Sequence, residues 1–280
     1  MRIWTSLAVA AVALGAVPLL AQWENYPTAG PRTSDGKIDL KGPSPKTAAG
    51  KPDFSGLWEQ ADTKRASFNG TPPLPFEIPS APGDPPVAQF FNIGAGIKEG
   101  LPFQPWAAEL RAARKANYAK DNPDAHCLPM GLTQLHMHIQ PRKVLQTARE
   151  IVVLYEANGN TRQILLDGRS LPKNNATPWW YGYSVGHWDE DTLVVETTGF
   201  RDDVWLDVDG SPMTSAGKMT ERWRRPYFGL MQVDITIDDP KAYTKPFTVR
   251  VNHRLMPDTE LMEFVCEERD GVHYVGEKGK

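Results

Sequence analysis

The chain has 280 residues, and its 40% hydrophobic content is sufficient for one large β domain or two ordinary domains. Its 25 prolines, 23 glycines and nine tryptophans favour many turns between aromatic-rich strands over a helical bundle. The formal net charge of -3 gives no broad positive field for phosphate backbones, so we expect no nucleic-acid partner.

The N-terminus is typical of an export signal. Arg2 precedes a run of Ala, Val and Leu, and Ala21 suits a cleavage site. Gly15 and Pro18 favour a cleaved signal peptide at residues 1–21 over the alternative, a transmembrane anchor. No later segment is apolar enough to span a bilayer, so we expect a periplasmic or secreted protein without a membrane span after cleavage.

The mature chain divides into an arm and one domain. Residues 22–52 are rich in Pro, Gly, Lys and Ser and lack periodicity, which predicts a flexible N-terminal arm. Residues 53–280 are predicted to form a single β-barrel domain, whose one helix begins at Pro105 and lies near 105–120. We expect Trp106, Leu110, Ala113 and Tyr118 on the apolar face of this helix. Its basic opposite face is either a solvated surface or a docking patch.

The stretch "GLTQLHMHIQP" is predicted to be a strand, which would place His136 and His138 on one face. Two such rings can bind one metal ion, zinc or iron, if a third ligand comes from a neighbouring strand. Candidates for that ligand are His187, His253, Glu196 and Glu263. The alternative is that both histidines are ordinary residues of a barrel wall.

The hydrophobic period changes to two after Cys127 and predicts four antiparallel hairpins. The clearest is "IVVLYEANGNTRQILLDG", where a type I′ turn at Asn158 and Gly159 would pair its two strands. In that register Ile151, Val153 and Tyr155 lie opposite Leu166, Ile164 and Arg162. The other three hairpins are "YGYSVGHWDEDTLVVETTGF", "KMTERWRRPYFGLMQVDITID" and "FTVRVNHRLMPDTELMEFVCEE". We therefore expect an all-β, mainly antiparallel fold, a meander barrel or alternatively a β-sandwich.

The chain has two cysteines, Cys127 and Cys266. In an exported protein such a pair is more often a disulfide than a metal or catalytic site. We expect it to tie the entrance of the main domain to its last strand. The alternative is a free nucleophilic cysteine.

Two resemblances bear on the fold. "GLW" at Gly56–Trp58 resembles the Gly-x-Trp opening of lipocalins and other calycin barrels, which implies a tryptophan that plugs one end of a barrel. Segments such as "PDFSGLW", "YSVGHWDEDTLVVETTGF", "WLDVDG" and "TERWRR" together resemble a large group of uncharacterised exported proteins of soil bacteria such as acidobacteria. This second resemblance implies export and a single β domain. The chain departs from that group at Pro212, Met213 and Thr214, where such relatives tend to have Pro-His-Ser.

Several residues are candidates for catalysis. Asp167 and Arg169 flank a glycine after the first hairpin, and they form either a turn-stabilising ion pair or a general base with a substrate-binding arginine. "TERWRR" places Glu221, Trp223 and Arg225 on one strand face and Arg222 on the other. Buried charges must be paired, so an interior network is predicted that is either structural or the floor of a ligand site. Its expected members are Glu196, Glu221, Arg222 and Glu263.

Aromatic residues cluster after the first hairpin. They suit core packing, or stacking on a planar or sugar ligand. The predicted ligand-binding residues are Trp179, Trp180, Tyr183, Trp205, Arg222 and Glu263.

The chain contains no nucleophile elbow, phosphate-binding glycine loop, dinucleotide fingerprint or Cys-x-x-Cys motif. We therefore expect an exported barrel that binds a small, partly apolar or aromatic molecule in its cavity. One alternative is an enzyme on the same barrel, a lyase, isomerase or hydrolase that uses a metal at His136 and His138 or acid/base chemistry at Asp167, Arg169 and Glu196. Another is a surface interaction protein. The sequence does not determine the oligomeric state.

Overall fold

The computed structural model describes residues 28–61, 73–173, 177–257 and 259–266. This part of the chain contains eleven strands and two α-helices. The strands are Gly56–Gln60 (β1), Arg142–Gln146 (β2), Glu150–Tyr155 (β3), Thr161–Leu165 (β4), Tyr183–Asp189 (β5), Thr192–Thr198 (β6), Val204–Trp205 (β7), Pro212–Met213 (β8), Lys218–Tyr227 (β9), Leu230–Asp238 (β10) and Phe247–Leu255 (β11). The helices are Pro105–Ala116 (α1) and Leu132–Met137 (α2).

Nine of these strands form a closed barrel in the order β1-β11-β10-β9-β6-β5-β4-β3-β2, while β7 and β8 pair separately. The barrel is closed because β1 pairs with both β11 and β2. Neighbouring strands are antiparallel except β4 and β5, which are parallel. The predicted mainly antiparallel barrel is therefore confirmed. The sandwich alternative is excluded, and the parallel pair was not foreseen.

Three predicted hairpins are present, as β3–β4, β5–β6 and β9–β10. In the first, Asn158 and Gly159 both have positive φ, as a type I′ turn requires, but the connection is longer than two residues. Ile151 therefore lies opposite Ile164, not Leu166, so the register shifts by two residues and every side chain keeps its face. The prediction of a fourth hairpin is wrong, because the described residues after β11 form no strand.

Helix α1 begins at Pro105 as predicted, but the prediction of its apolar face is wrong. Tyr118 is 94% exposed, and Ala107 is the buried residue of the helix. The basic face packs on the chain instead. Arg111 and Lys115 pair with Asp209 at 2.7 and 2.9 Å. The patch proposed for docking is thus partly occupied by the protein's own loop.

The stretch with His136 and His138 is not a strand, and this prediction is wrong. Residues Leu132–Met137 form α2, and His138 follows its last turn. The next strand, β2, begins only at Arg142. A short apolar run does not distinguish a buried helix from a buried strand.

The chain ends are partly described. The predicted signal peptide, residues 1–21, lies outside the described residues. Within the predicted arm, Leu40 and Gly42 accept backbone hydrogen bonds from residues 229 and 228 beside the barrel. Cys127 and Cys266 form the predicted disulfide, although Cys266 belongs to a C-terminal segment and not to the last strand.

Alternating strand positions fill the barrel. The largest interior side chains include Trp58 and Trp223, both essentially unexposed. The Arg225 guanidinium lies 4.7 Å from the Trp58 ring centroid. Trp58 is thus buried under Arg225.

Candidate functional site

Helix α2 lies against the β7 segment, and Gly131 makes this close approach feasible. A Cβ atom at Gly131 would lie 2.1 Å from the Trp205 carbonyl oxygen. Two side chains of α2 donate hydrogen bonds to the same segment: the Thr133 hydroxyl to the Leu206 carbonyl at 2.5 Å, and the Gln134 amide to the Trp205 carbonyl at 2.9 Å. The helix is fully buried and presents His136 to the barrel interior.

An ion pair lies at the centre of the barrel interior. Arg162 on β4 donates from both terminal nitrogens to the two carboxylate oxygens of Glu221 on β9. The remaining donors of Arg162 reach Ser184 at 3.1–3.2 Å and Thr197 at 3.0 Å. Glu221 also accepts from the Trp223 indole at 3.2 Å. Such a pair is tolerated in an apolar core only when its hydrogen bonds are satisfied in this way.

Two histidines extend this network and have defined proton positions. Arg142 Nη1 donates to His253 Nδ1 at 3.0 Å, so the proton of neutral His253 resides on Nε2. That nitrogen lies 3.4 Å from His136 Nδ1, which therefore accepts. His136 Nε2 then donates to Glu221 at 2.7 Å. One arginine thus sets both tautomers.

The pKa values in the network follow from burial and charge. Burial lowers the pKa of His136, against the opposing effect of Glu221, and it lowers the pKa of His253 well below its usual value with further contributions from Arg142 and His136. Burial alone would raise the pKa of Glu221, but Arg162 and His136 more than offset this and hold it well below its usual value. The network therefore holds neutral histidines and an ionised Glu221 near neutral pH.

The predicted metal ligands have different neighbours. The His136 ring contacts Glu221, Trp223 and His253, whereas the His138 ring packs against Phe90 at 5.1 Å between centroids. Within residues 28–61, 73–173, 177–257 and 259–266, no group of three or more His, Cys, Asp or Glu side chains is arranged to hold a metal ion. The shared strand face on which the metal prediction depended does not exist.

The parallel pair of β4 and β5 creates a cleft in the barrel wall. Its register includes only Ile164 with Ser184 and Leu165 with Val185. Two parallel strands cannot be joined by a tight turn, so the chain must cross back before β5 begins. The described part of this crossover, residues 166–173 and 177–182, supplies one wall of a cavity of about 790 Å³. Arg162 and Ser184 also line it.

Aromatic side chains form much of the cleft. Trp179 and Tyr183 stack with their ring centroids 4.8 Å apart, and Trp179 is 53% exposed. Trp180 lies under the Arg201 guanidinium at 4.7 Å. Tyr181 completes this wall. The structure thus brings together three of the predicted ligand-binding residues, Trp179, Trp180 and Tyr183.

The predicted catalytic residues do not converge. Arg169 Nη2 lies 2.5 Å from Asp167 across an exposed turn, which is the turn-stabilising alternative. Hydrogen bonding from Arg169 lowers the pKa of Asp167 to about 2, which makes it a weak base. Arg169 also lines the cleft, whereas Glu196 pairs with Lys218 elsewhere on the wall.

The other predicted ligand residues lie apart from the cleft. Trp205 is buried beneath Arg114 at 4.2 Å and borders a neighbouring cavity of about 530 Å³. Arg222 is on the outer face of the barrel and pairs with Asp189 at 2.8 Å. Glu263 is exposed in the C-terminal segment. Of the predicted interior network only Glu221 faces inward. The expectation for Glu196, Arg222 and Glu263 is wrong.

Arg162, the partner of Glu221, was not among the residues predicted for the interior network. Arg162 alternates with Ile164 on β4, so the period-two pattern could have indicated an inward-facing arginine. Tyr181 lies between Trp180 and Tyr183 in the sequence but was not among the predicted ligand-binding residues. Neither Arg162 nor Tyr181 belongs to a motif.

Comparison of the chain with protein-family models, with curated proteins and with solved structures gives no significant match. The fold and the cleft therefore define its class: a closed, mainly antiparallel nine-stranded β-barrel with an aromatic cleft in its wall. Within the described part of the chain, no helix is long and apolar enough to cross a membrane.

Proposed function

We propose that this protein is an exported binding protein that holds a small, partly apolar or aromatic molecule in the cleft beside β4. The observation that carries the proposal is the Trp179 ring, which is half exposed and stacked on Tyr183 at a cavity of about 790 Å³. Cavities of 300–1,000 Å³ with aromatic walls and few polar groups are typical of small-molecule sites. An exposed tryptophan gains most when a flat ligand covers it.

Among the described residues, the Arg162–Glu221 pair and the Trp58 and Trp223 side chains fill space inside the barrel. We therefore propose a ligand site in the wall and not along the barrel axis, where the lipocalin-like resemblance would put it.

Export is supported by two independent features. The N-terminal sequence has the pattern of a signal peptide. The Cys127–Cys266 bond is of the kind that persists in oxidising compartments such as the periplasm or the extracellular space.

The test is a thermal-stability screen of the untagged protein against a panel of aromatic and apolar metabolites. A ligand that binds the folded state must raise the unfolding temperature with concentration. We expect Trp179→Ala to abolish the shift. Tyr118→Ala, which removes an exposed ring outside the cleft lining, should leave it unchanged. Equal shifts in both variants, or no shift with any compound, would refute the proposal.

A further inference from the structure

Positive charge is concentrated at the cleft. Its described lining includes the guanidinium groups of Arg162, Arg169 and Arg201 and no Asp or Glu side chain. The three arginines have carboxylate partners outside that lining, namely Glu221, Asp167 and Asp203. The described lining therefore contains guanidinium groups and no carboxylate, although each guanidinium has a carboxylate partner beyond it.

Arg201 is the arginine best placed to bind a further partner. Its side chain is 44% exposed and stacks on Trp180. Among the described residues, its hydrogen-bond acceptor is Asp203, reached from Nη2 at 2.8 Å. A guanidinium has five N–H donors, so the rest of this fork remains for a ligand. Arg162, in contrast, is almost fully buried and directs its donors to Glu221, Ser184 and Thr197.

We propose that the ligand of the cleft is an aromatic carboxylate. Its ring packs against the wall formed by Trp179 and Tyr183, and its carboxylate pairs with Arg201. Guanidinium groups recognise carboxylates through paired, charge-assisted hydrogen bonds, which neutral amides of the same shape cannot form. This inference rests on the proposed function and specifies the chemistry of its ligand.

Matched pairs of acids and amides test the inference. Benzoate, phenylacetate, cinnamate, indole-3-acetate and 1-naphthoate are each compared with their primary amides by isothermal titration calorimetry at low salt. At least one acid should bind about tenfold or more tightly than its amide, as expected for one additional charge-assisted interaction. Raising the salt concentration should weaken binding of the acid and leave the amide unaffected.

Two variants locate the charge. Arg201→Gln should reduce the acid-to-amide ratio to near one. Arg222→Gln is the matched control, because Arg222 is 46% exposed and also pairs with an exposed aspartate, but lies outside the cleft lining. Loss of the preference in Arg201→Gln alone supports the inference.

The outcomes separate this inference from the proposed function. If acids and amides bind equally to the wild-type protein, or if only amides bind, the carboxylate inference is wrong while the cleft remains a binding site. If both variants lose the preference equally, the charge does not act through Arg201 and the inference is also overturned. If no acid and no amide binds and the wider metabolite panel also gives no shift, both proposals fail together.

Discussion

The interior of the barrel and the cleft in its wall use the same kinds of residues in opposite ways. In the interior, Arg162 and Glu221 satisfy each other, and the two histidines connect them to Arg142. In the cleft, the Trp179 ring is 53% exposed and the Arg201 side chain is 44% exposed. The charges of the interior pair are enclosed by the protein, whereas the exposed groups of the cleft gain contacts from a bound molecule.

We therefore expect the barrel interior to contribute mainly to stability and the cleft mainly to ligand binding. Breaking a buried charge pair leaves an unpaired ion in a medium of low polarity, so interior substitutions should reduce the free energy of unfolding. Exposed side chains contribute little to that free energy, so cleft substitutions should leave it nearly unchanged. Arg162 belongs to both regions, because its side chain lines the cleft and also forms the interior ion pair with Glu221.

The largest effect is expected for Glu221→Gln. The substitution removes the charge that compensates the buried Arg162, and we expect the free energy of unfolding to fall by about 3–5 kcal/mol in urea denaturation. The control is Glu196→Gln, since Glu196 pairs with Lys218 at a partly exposed position and should cost less than about 1 kcal/mol. Equal losses in the two variants would show that the interior pair has no special role.

A steric test addresses the contact between α2 and the β7 segment. In the Gly131→Ala variant the new methyl group would lie 2.1 Å from the Trp205 carbonyl oxygen. Either helix α2 or the β7 segment must therefore move. We expect a loss of about 1–3 kcal/mol by chemical denaturation, as for overpacked cores. An unchanged denaturation midpoint would contradict the close approach.

The lowered pKa values of His136 and His253 predict that the free energy of unfolding depends on pH. Their pKa values are lowered in the folded protein from 6.5, so below about pH 6.5 the unfolded chain binds protons that the folded chain does not. Stability should therefore fall as the pH is lowered from 8 to 5, by up to about 1.4 kcal/mol per pH unit for each histidine. His253→Gln should flatten this slope by the share of one histidine. A slope identical to that of the wild-type protein would mean that folding does not lower the pKa of His253.

The smallest stability effect is expected in the cleft. Trp179→Ala removes a half-exposed ring and its stack on Tyr183, so we expect a loss below about 1 kcal/mol. The interior counterpart is Trp223→Ala, which should cost about 3–5 kcal/mol because that ring is fully buried. If Trp179→Ala is as destabilising as Trp223→Ala, the cleft wall is part of the core and the contrast between the two regions is lost.

Much of the architecture could be predicted from local patterns. Period-two alternation and turn residues indicated three hairpins and the faces of "TERWRR", and Pro105 marked the start of α1. The same rules failed at α2, where every residue is buried and no periodicity separates helix from strand. They also failed for the last hairpin, since an alternating run does not show whether a neighbouring strand is available to pair with it.

The candidate site was predicted in part. The aromatic cluster was recognised because large rings next to turn residues are conspicuous, and Trp179, Trp180 and Tyr183 do meet. Trp205 and Arg222 were assigned to the same site but lie elsewhere, because membership of a site depends on which strands are neighbours. The sequence left the roles of Asp167 and Arg169 open, and the structure shows that they form an ion pair across an exposed turn while Arg169 also lines the cleft.

The sequence by itself determined the class of fold and the cysteine partnership, because alternation, turn chemistry and the presence of two cysteines are local or countable properties. The tertiary structure decided the rest. The one parallel pairing of β4 with β5 forces a crossover, and this crossover forms the wall of the cleft. Barrel closure likewise brings Arg162 to Glu221, 59 residues apart, and His136 to His253, 117 residues apart. Contacts over such separations depend on strand order, which no local pattern encodes.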